Sequence, residues 1–191
     1  MALSDDQIVE KIRGGAKHHY RYLVERYKDR GMTLALRILR NREEAEEALQ
    51  DAFVRAFRGL DAFKGESRFG TWFYRIVYNA CLSRLEKKNP AITHVEWDEN
   101  REFEIEEMGN SIPLLAEIEM RDLAGIVKKI IDSMPEKYAA ILTLFYFQEL
   151  SHDEICQIMN LPLGTVKTHL FRARAMLYKR LQNDIMAGVS V

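Results

Sequence analysis

Apolar residues recur at helical spacing along most of this chain. Tyr20, Leu23, Val24 and Tyr27 form one stripe, and Leu34, Ala35, Ile38 and Leu39 form a second. The longest stripe runs from Ala45 through Ala48, Leu49, Ala52, Phe53, Ala56 and Phe57 to Leu60, more than four turns of an amphipathic helix. Asn41 followed by Glu44 predicts a capping box at its start. Asp61 to Ser67 breaks the period and predicts a loop. A further helix is expected from near Ser67–Thr71 to about Lys88, ended by Asn89-Pro90. From Ala91 to about Glu119 no period persists, and Gly109, Asn110 and Pro113 predict a linker. The period returns with Leu123, Ile126, Val127, Ile130, Ile131 and Met134. Pro135 is expected at the first position of a next helix with Tyr138, Ile141, Leu142 and Phe145 on its apolar face. Ser151 with Glu154 predicts a second capping box, Asn160 to Thr165 a tight turn, and the last helix runs from about Thr165 to Leu181. No alternating strand pattern competes. The expected fold is all-α: two small helical domains, residues 1–90 and 120–191, joined by an acidic flexible linker over 91–119, the second containing a helix-turn-helix.

Composition and charge sharpen this picture. The chain has 191 residues and is 47% hydrophobic, enough for packed cores, and no apolar run approaches the length needed to cross a bilayer. The acidic start, Met1 to Asp6, lacks the basic-then-apolar pattern of a signal peptide, so a cytoplasmic protein is expected. Cys81 and Cys156 have no paired-ligand spacing and read as reduced thiols. The formal net charge of −1 conceals opposite segments. Residues 1–90 carry net +5, residues 91–122 net −8 and residues 123–191 net +2. Two basic blocks around an acidic connector suit a polyelectrolyte partner as well as they suit a solvated linker between ordinary domains.

The candidate chemistry sits in three places. Sorted by angle, the last helix places Val166, Leu170, Ala173, Leu177 and Leu181 inward. Thr165, Thr168, Phe171, Arg172 and Ala175 face outward, with Lys167 and Arg174 on a flank that reaches phosphates. Such a face suits a major groove: short polar groups lead, an Arg can pair with guanine and an aromatic can touch a thymine methyl. In the first block, Glu43, Glu46, Glu47, Gln50 and Asp51 crowd one helix, ahead of Val54, Arg55 and Arg58. They either complement the helix dipole or form a docking face for a partner. Then Phe69, Trp72, Phe73, Tyr74 and Tyr78 alternate with Lys64, Arg68, Arg75 and Arg84. Trp72 and Phe73 are expected in the core. The rest allow single-strand binding, with aromatic faces stacking bases and the Lys64–Arg68 loop holding one flipped base.

Together these motifs resemble a known family. Asn41-Arg42-Glu43-Glu44-Ala45-Glu46-Glu47-Ala48-Leu49-Gln50-Asp51-Ala52-Phe53 is similar to the region of bacterial sigma factors that docks on core RNA polymerase. Phe63-Lys64-Gly65-Glu66-Ser67-Arg68-Phe69, with Thr71-Trp72, Arg75-Ile76 and Asn79, resembles their −10 element reader. Leu150-Ser151 and Glu154-Ile155, then Pro162 through Arg174, resemble their −35 element reader. Two domains without a middle one resemble the extracytoplasmic function subgroup. The resemblance implies that Glu47, Gln50, Asp51 and Val54 face the polymerase clamp. It implies that Lys64, Gly65, Glu66, Ser67, Arg68 and Phe69, with Arg75 and Asn79 nearby, hold a flipped −10 base. Gly164, Thr165, Lys167, Thr168, Phe171, Arg172 and Arg174 are implied to meet the −35 duplex. The acidic tether is implied to thread the polymerase near the RNA exit path. Implied partners are core RNA polymerase, promoter DNA and a membrane-linked anti-sigma factor, without membrane insertion by this chain. Three departures stand out: His169 where the family often has Arg, and Phe145 and Glu149 where it often has Arg and Gly. The chain stops soon after the last helix, so no appended sensory domain is expected.

Two other classes compete with this reading. A stand-alone helix-turn-helix regulator would bind duplex DNA but needs neither the acidic helix nor the aromatic loop. An enzyme would need a phosphate loop, a nucleophile elbow or a metal-ligand spacing, and the sequence shows none. His18 and His19 are adjacent and should point to different helix faces. No catalytic residue, cofactor or metal is therefore expected.

Overall fold

The structure is a computed structural model and describes residues 3–88 and 120–186. The expected linker over 91–119 and the Asn89-Pro90 helix stop lie outside the described residues. The described residues form eight α-helices. They are α1 (Asp5–Arg13), α2 (Tyr20–Leu39), α3 (Arg42–Gly59), α4 (Phe69–Lys88), α5 (Met120–Ser133), α6 (Glu136–Leu142), α7 (His152–Met159) and α8 (Leu163–Met186). Helices α2, α3 and α4 pack mutually, with α1 laid on α2; α5, α6 and α7 pack around α8.

Local sequence explains most boundaries. Ser4 and Gln7 close a capping box on α1, and Ser151 and Glu154 close the expected one on α7. At α3 only half of the expected box forms. Asn41 accepts from the Glu44 amide at 3.0 Å, but the Glu44 carboxylate pairs with Lys88 instead of turning back. Pro135 stands at the N-cap of α6 and not inside its first turn. The chain turns over Asn160 to Pro162, with Asn160 in the left-handed region (φ 54°), so α8 begins two residues earlier than expected. His18 and His19 lie in a 3-10 turn before α2, where their rings approach to 4.3 Å, so the different-faces expectation does not hold.

The first core is aromatic. Phe73 is fully buried, stacked nearly parallel to Phe69 (9° between planes) and 4.6 Å from the Phe53 ring, with Tyr27 and Tyr74 around it. Helices α2 and α3 approach closely at Gly31, where an added Cβ would lie 2.7 Å from Leu49 Cδ1. Phe57 departs from its expected inward place and is 38% exposed.

Between α6 and α7 the chain forms a π-helical turn, Thr143–Phe147, which ends at Glu149 with φ 56°. A left-handed residue with a Cβ is strained by about 1–2 kcal/mol, part of which glycine returns as entropy in the unfolded chain. The Glu149→Gly variant is therefore expected to be more stable by roughly 1 kcal/mol, read as a higher urea midpoint. A lower midpoint would mean that the Glu149 side chain stabilises the turn in another way.

Candidate nucleic-acid interface

Helix α8 follows the expected angular sorting. Val166, Leu170 and Ala173 are buried against α6 and α7, while Lys167, Thr168 and Phe171 are exposed. Phe171 is 51% exposed, which is unusual for a Phe on a helix that otherwise packs well. Gly164 lies in the exposed first turn and Thr165 and Arg172 are half-buried beside this face. Thr168 donates its hydroxyl to the Gly164 carbonyl at 2.9 Å, which leaves the oxygen as an acceptor. Arg174 stacks its guanidinium over Phe145 and Tyr146 at 5.2 and 5.5 Å, so its charge is anchored at one edge of the face.

His169, where the family often has Arg, is buried. It does not stand on the DNA-facing side: it is 3% exposed and meets the Tyr138 ring edge-on at 6.0 Å. Its position between Thr168 and Leu170 places it on the inward flank. Burial, with Lys137 and Arg172 nearby, pushes its pKa down to about 4, so the ring is neutral at pH 7. It fills the core and makes no phosphate contact in place of an Arg.

The loop between α3 and α4 is presented differently. Lys64, Gly65, Glu66 and Arg68 are exposed and Ser67 is half-buried. Gly65 has φ 74°, a conformation that favours glycine. Arg13 from α1 holds the base of the loop, donating to the Leu60 carbonyl at 2.9 Å and to the Phe63 carbonyl. A cavity of about 520 Å³ opens beneath it, lined by Lys64, Glu66, Ser67, Trp72 and Arg75. Phe69, Tyr74 and Tyr78 are 1%, 2% and 6% exposed, so they cannot stack bases as the sequence allowed; Phe69 packs against Phe63 and Trp72 at the foot of the loop. Trp72 is half-buried and lines the cavity. Asn79 is exposed two turns along α4, outside that cavity.

On α3, Glu47, Gln50, Asp51 and Val54 form one exposed stripe. The sequence did not reveal two features of it. Exposed Phe57 extends Val54 into a small apolar patch, legible from its spacing of three. Arg84 of α4 donates to Glu47 at 2.7 Å and Asp51 at 3.0 Å. Arg84 is therefore engaged within the chain and does not track a nucleic-acid backbone. Desolvation is the largest single influence and lowers its basicity, but the bonds and charges of the two carboxylates together more than reverse it.

A helix-turn-helix with a prepared outer face, an exposed glycine-containing loop over an aromatic platform, and an acidic stripe thus share one chain. Residues 124–177 match Sigma-70, region 4, and residues 23–90 match Sigma-70 region 2. The RNA polymerase sigma-H factor of Pseudomonas aeruginosa is 33% identical over 181 residues, 93% of this chain and 94% of that protein. The chain belongs to the extracytoplasmic function sigma factors of the sigma-70 family. The ECF RNA polymerase sigma-E factor of Escherichia coli is 33% identical over 186 residues, covering 94% of this chain and 95% of that one. SigW of Bacillus subtilis is 32% identical over 178 residues, 92% and 95% of the two chains. The same fold occurs in CnrH, solved in complex with the cytosolic domain of CnrY, at a TM-score of 0.64 and 19% identity over 93% of this chain and 96% of that one. It occurs also in RpoE, solved with the anti-sigma factor NepR from Bartonella quintana, at a TM-score of 0.62 and 20% identity over 86% and 98%. This sigma factor directs RNA polymerase to promoters for transcription initiation. No described helix is long and apolar enough to cross a membrane.

Proposed function

We propose that residues 1–90 bind core polymerase and the −10 element, and that residues 120–191 read the −35 element. Glu47, Gln50, Asp51 and Val54 dock on the polymerase clamp. The Lys64–Ser67 loop and Arg68 hold one base flipped from the non-template strand in the cavity above Phe69, with Trp72 and Arg75 at its wall and Asn79 further along. The first turns of α8 enter the major groove: Thr165, Thr168, Phe171 and Arg172 meet base edges, while Gly164, Lys167 and Arg174 meet the backbone. Capture of an unpaired base stabilises melted DNA, so opening follows from binding energy and needs no catalytic residue in this chain. The protein acts in the cytoplasm and is held inactive by a membrane-linked anti-sigma factor that clamps both domains.

What carries this reading is that all three surfaces face solvent while each stands on a buried scaffold. A plain regulator has no use for the loop or the acidic stripe. Reconstitution with core polymerase, followed by run-off transcription across a genomic library, tests it directly. Discrete promoter-specific transcripts are expected, and their absence would overturn the assignment. At finer resolution, Arg172→Ala is expected to weaken holoenzyme binding by about 1–3 kcal/mol on one −35 sequence and little on random DNA. A uniform loss in the same anisotropy titration would demote Arg172 to a phosphate contact.

A further inference from the structure

Arg174 is exposed on the flank of α8, three residues past Phe171 and therefore its neighbour on the helix surface. Two aromatic residues from outside that helix hold it there. The guanidinium carbon lies over the Phe145 ring, 5.2 Å from its centre, and over the Tyr146 ring at 5.5 Å. Both rings belong to the π-helical turn before α7. Their centres are 5.0 Å apart and their planes meet at 84°, so they make a corner under the cation. His152, the first residue of α7, backs the Phe145 ring at 5.2 Å. The turn is itself tied down: the Gln148 amide donates to the Thr143 carbonyl at 3.0 Å, and the Leu150 amide to the Leu144 carbonyl at 3.2 Å. Turns of this wide kind are rare and collect at functional sites.

Core packing does not account for the outer ring. Tyr146 is 52% exposed, so its burial contributes little to stability. Its partner is a long side chain with much rotamer freedom to lose when it binds a ligand. The corner removes part of that freedom beforehand. The type of partner matters as well. A carboxylate occupies the N–H groups of a guanidinium, as Glu47 and Asp51 occupy those of Arg84. An aromatic face attracts the cation through its quadrupole and leaves the in-plane N–H groups free. Arg174 is therefore oriented without its donors being used, and the guanidinium fork matches a phosphate in shape.

We propose that Phe145 and Tyr146 are positioning residues for DNA binding: they hold Arg174 oriented toward one backbone phosphate of the −35 duplex. This rests on the assignment of α8 to that element. In a helix-turn-helix the first helix crosses the backbone while the second enters the groove. A cation carried by α8 but anchored beside the start of α7 ties both helices to the same phosphate. Phosphate contacts of this kind fix the register of a protein on the duplex without reading sequence. Phe145 supplies no cation of its own, and it recruits one from α8.

Full-length chain reconstituted with core polymerase tests this on the library fragment that gives the strongest run-off transcript. Tyr146→Leu removes one ring face at an exposed position and keeps apolar bulk. It is expected to weaken binding of that fragment about threefold, the order of an exposed cation–π contact. Tyr146→Phe keeps the face and is expected to restore affinity to within about 1.5-fold of the parent. Arg174→Ala is expected to cost at least as much as Tyr146→Leu, and to lower the slope of log affinity against log salt by about 0.9, one phosphate. In the Arg174→Ala background, Tyr146→Leu is expected to cost nothing further. A ring that merely stabilised the turn would cost the same factor in both backgrounds. The Arg174 Nε–H resonance of the free full-length chain gives a reading without DNA. It is expected upfield through the ring currents of the corner, and to move toward its random-coil position in Tyr146→Leu but not in Tyr146→Phe. No loss with Tyr146→Leu, equal losses in the two backgrounds, or a random-coil Arg174 signal in the parent would each overturn the inference. A parent chain that gives no promoter-specific transcript would instead count against the assignment of α8, since the Arg174 resonance reports on the corner independently.

Discussion

Gln50→Ala combined with Asp51→Arg is expected to weaken binding to core RNA polymerase by at least about 100-fold, or ~2.8 kcal/mol. The two residues lie at the centre of the exposed α3 stripe, between Glu47 and Val54. Charged and polar anchors at the centre of a docking surface carry a disproportionate share of its energy. The arginine also meets Arg84, which in the parent chain donates to Asp51 at 3.0 Å and Glu47 at 2.7 Å. Two guanidiniums then compete for one carboxylate, and the stripe loses its acidic character. The side chains at 50 and 51 are exposed, so folding should be little affected. Affinity for an isolated −35 duplex should be unchanged, because α8 lies in the other unit. Equal loss of duplex and polymerase binding in the same titration would remove α3 from its assigned role.

Phe73→Ala is expected to destabilise the protein by about 3–5 kcal/mol, as deletion of a fully buried ring does. That is a large share of the 5–15 kcal/mol that typically separates folded from unfolded states. The ring packs against Phe53 at 4.6 Å, Tyr27 at 5.6 Å and Phe69 at 6.1 Å, joining α3 to α2 and α4. Phe69 in turn packs against Phe63 at the foot of the Lys64–Ser67 loop. Base capture should therefore fail even below the melting temperature, while −35 binding persists. Phe73→Leu preserves most of the volume and should cost less than about 1.5 kcal/mol. Urea unfolding of both variants checks this. A loss below about 1 kcal/mol for the alanine variant would show that the aromatic cluster relaxes around the cavity and is not a rigid platform.

Much of this molecule was legible because the determining forces are local. The Ser151–Glu154 cap joins residues three apart, and the sorting of Val166, Leu170 and Ala173 from Thr168 and Phe171 follows from the helical period alone. Most of the named motif residues are exposed or half-buried, whereas Phe69 is buried. What sequence could not supply was contact between distant segments. Glu44 fits a capping box locally, yet Lys88 claims its carboxylate from the far end of α4. Arg84 looked like a cation for nucleic acid until Glu47 and Asp51 came within reach across two helices. His169 follows Thr168 directly, yet one helical step sets it into the core beside Tyr138. The packing of α7 across α4 had a sequence trace in the apolar and aromatic residues around α4, from Phe69 to Cys81. Their period fits a core-facing helix, and only the contact with α7 shows why a second face is apolar too.

The ion triad of Arg84, Glu47 and Asp51 has a consequence for how polymerase docking responds to salt. The acceptors a basic partner needs are already neutralised from within the chain. Docking is then an exchange of counter-cations: the incoming group displaces Arg84, and the number of ion pairs hardly changes. Exchange reactions of this kind release few mobile ions, so polymerase affinity should vary only shallowly with ionic strength, in contrast to the steep dependence of contacts with DNA phosphates. Arg84→Ala should steepen that dependence by leaving the two carboxylates open to solvent ions.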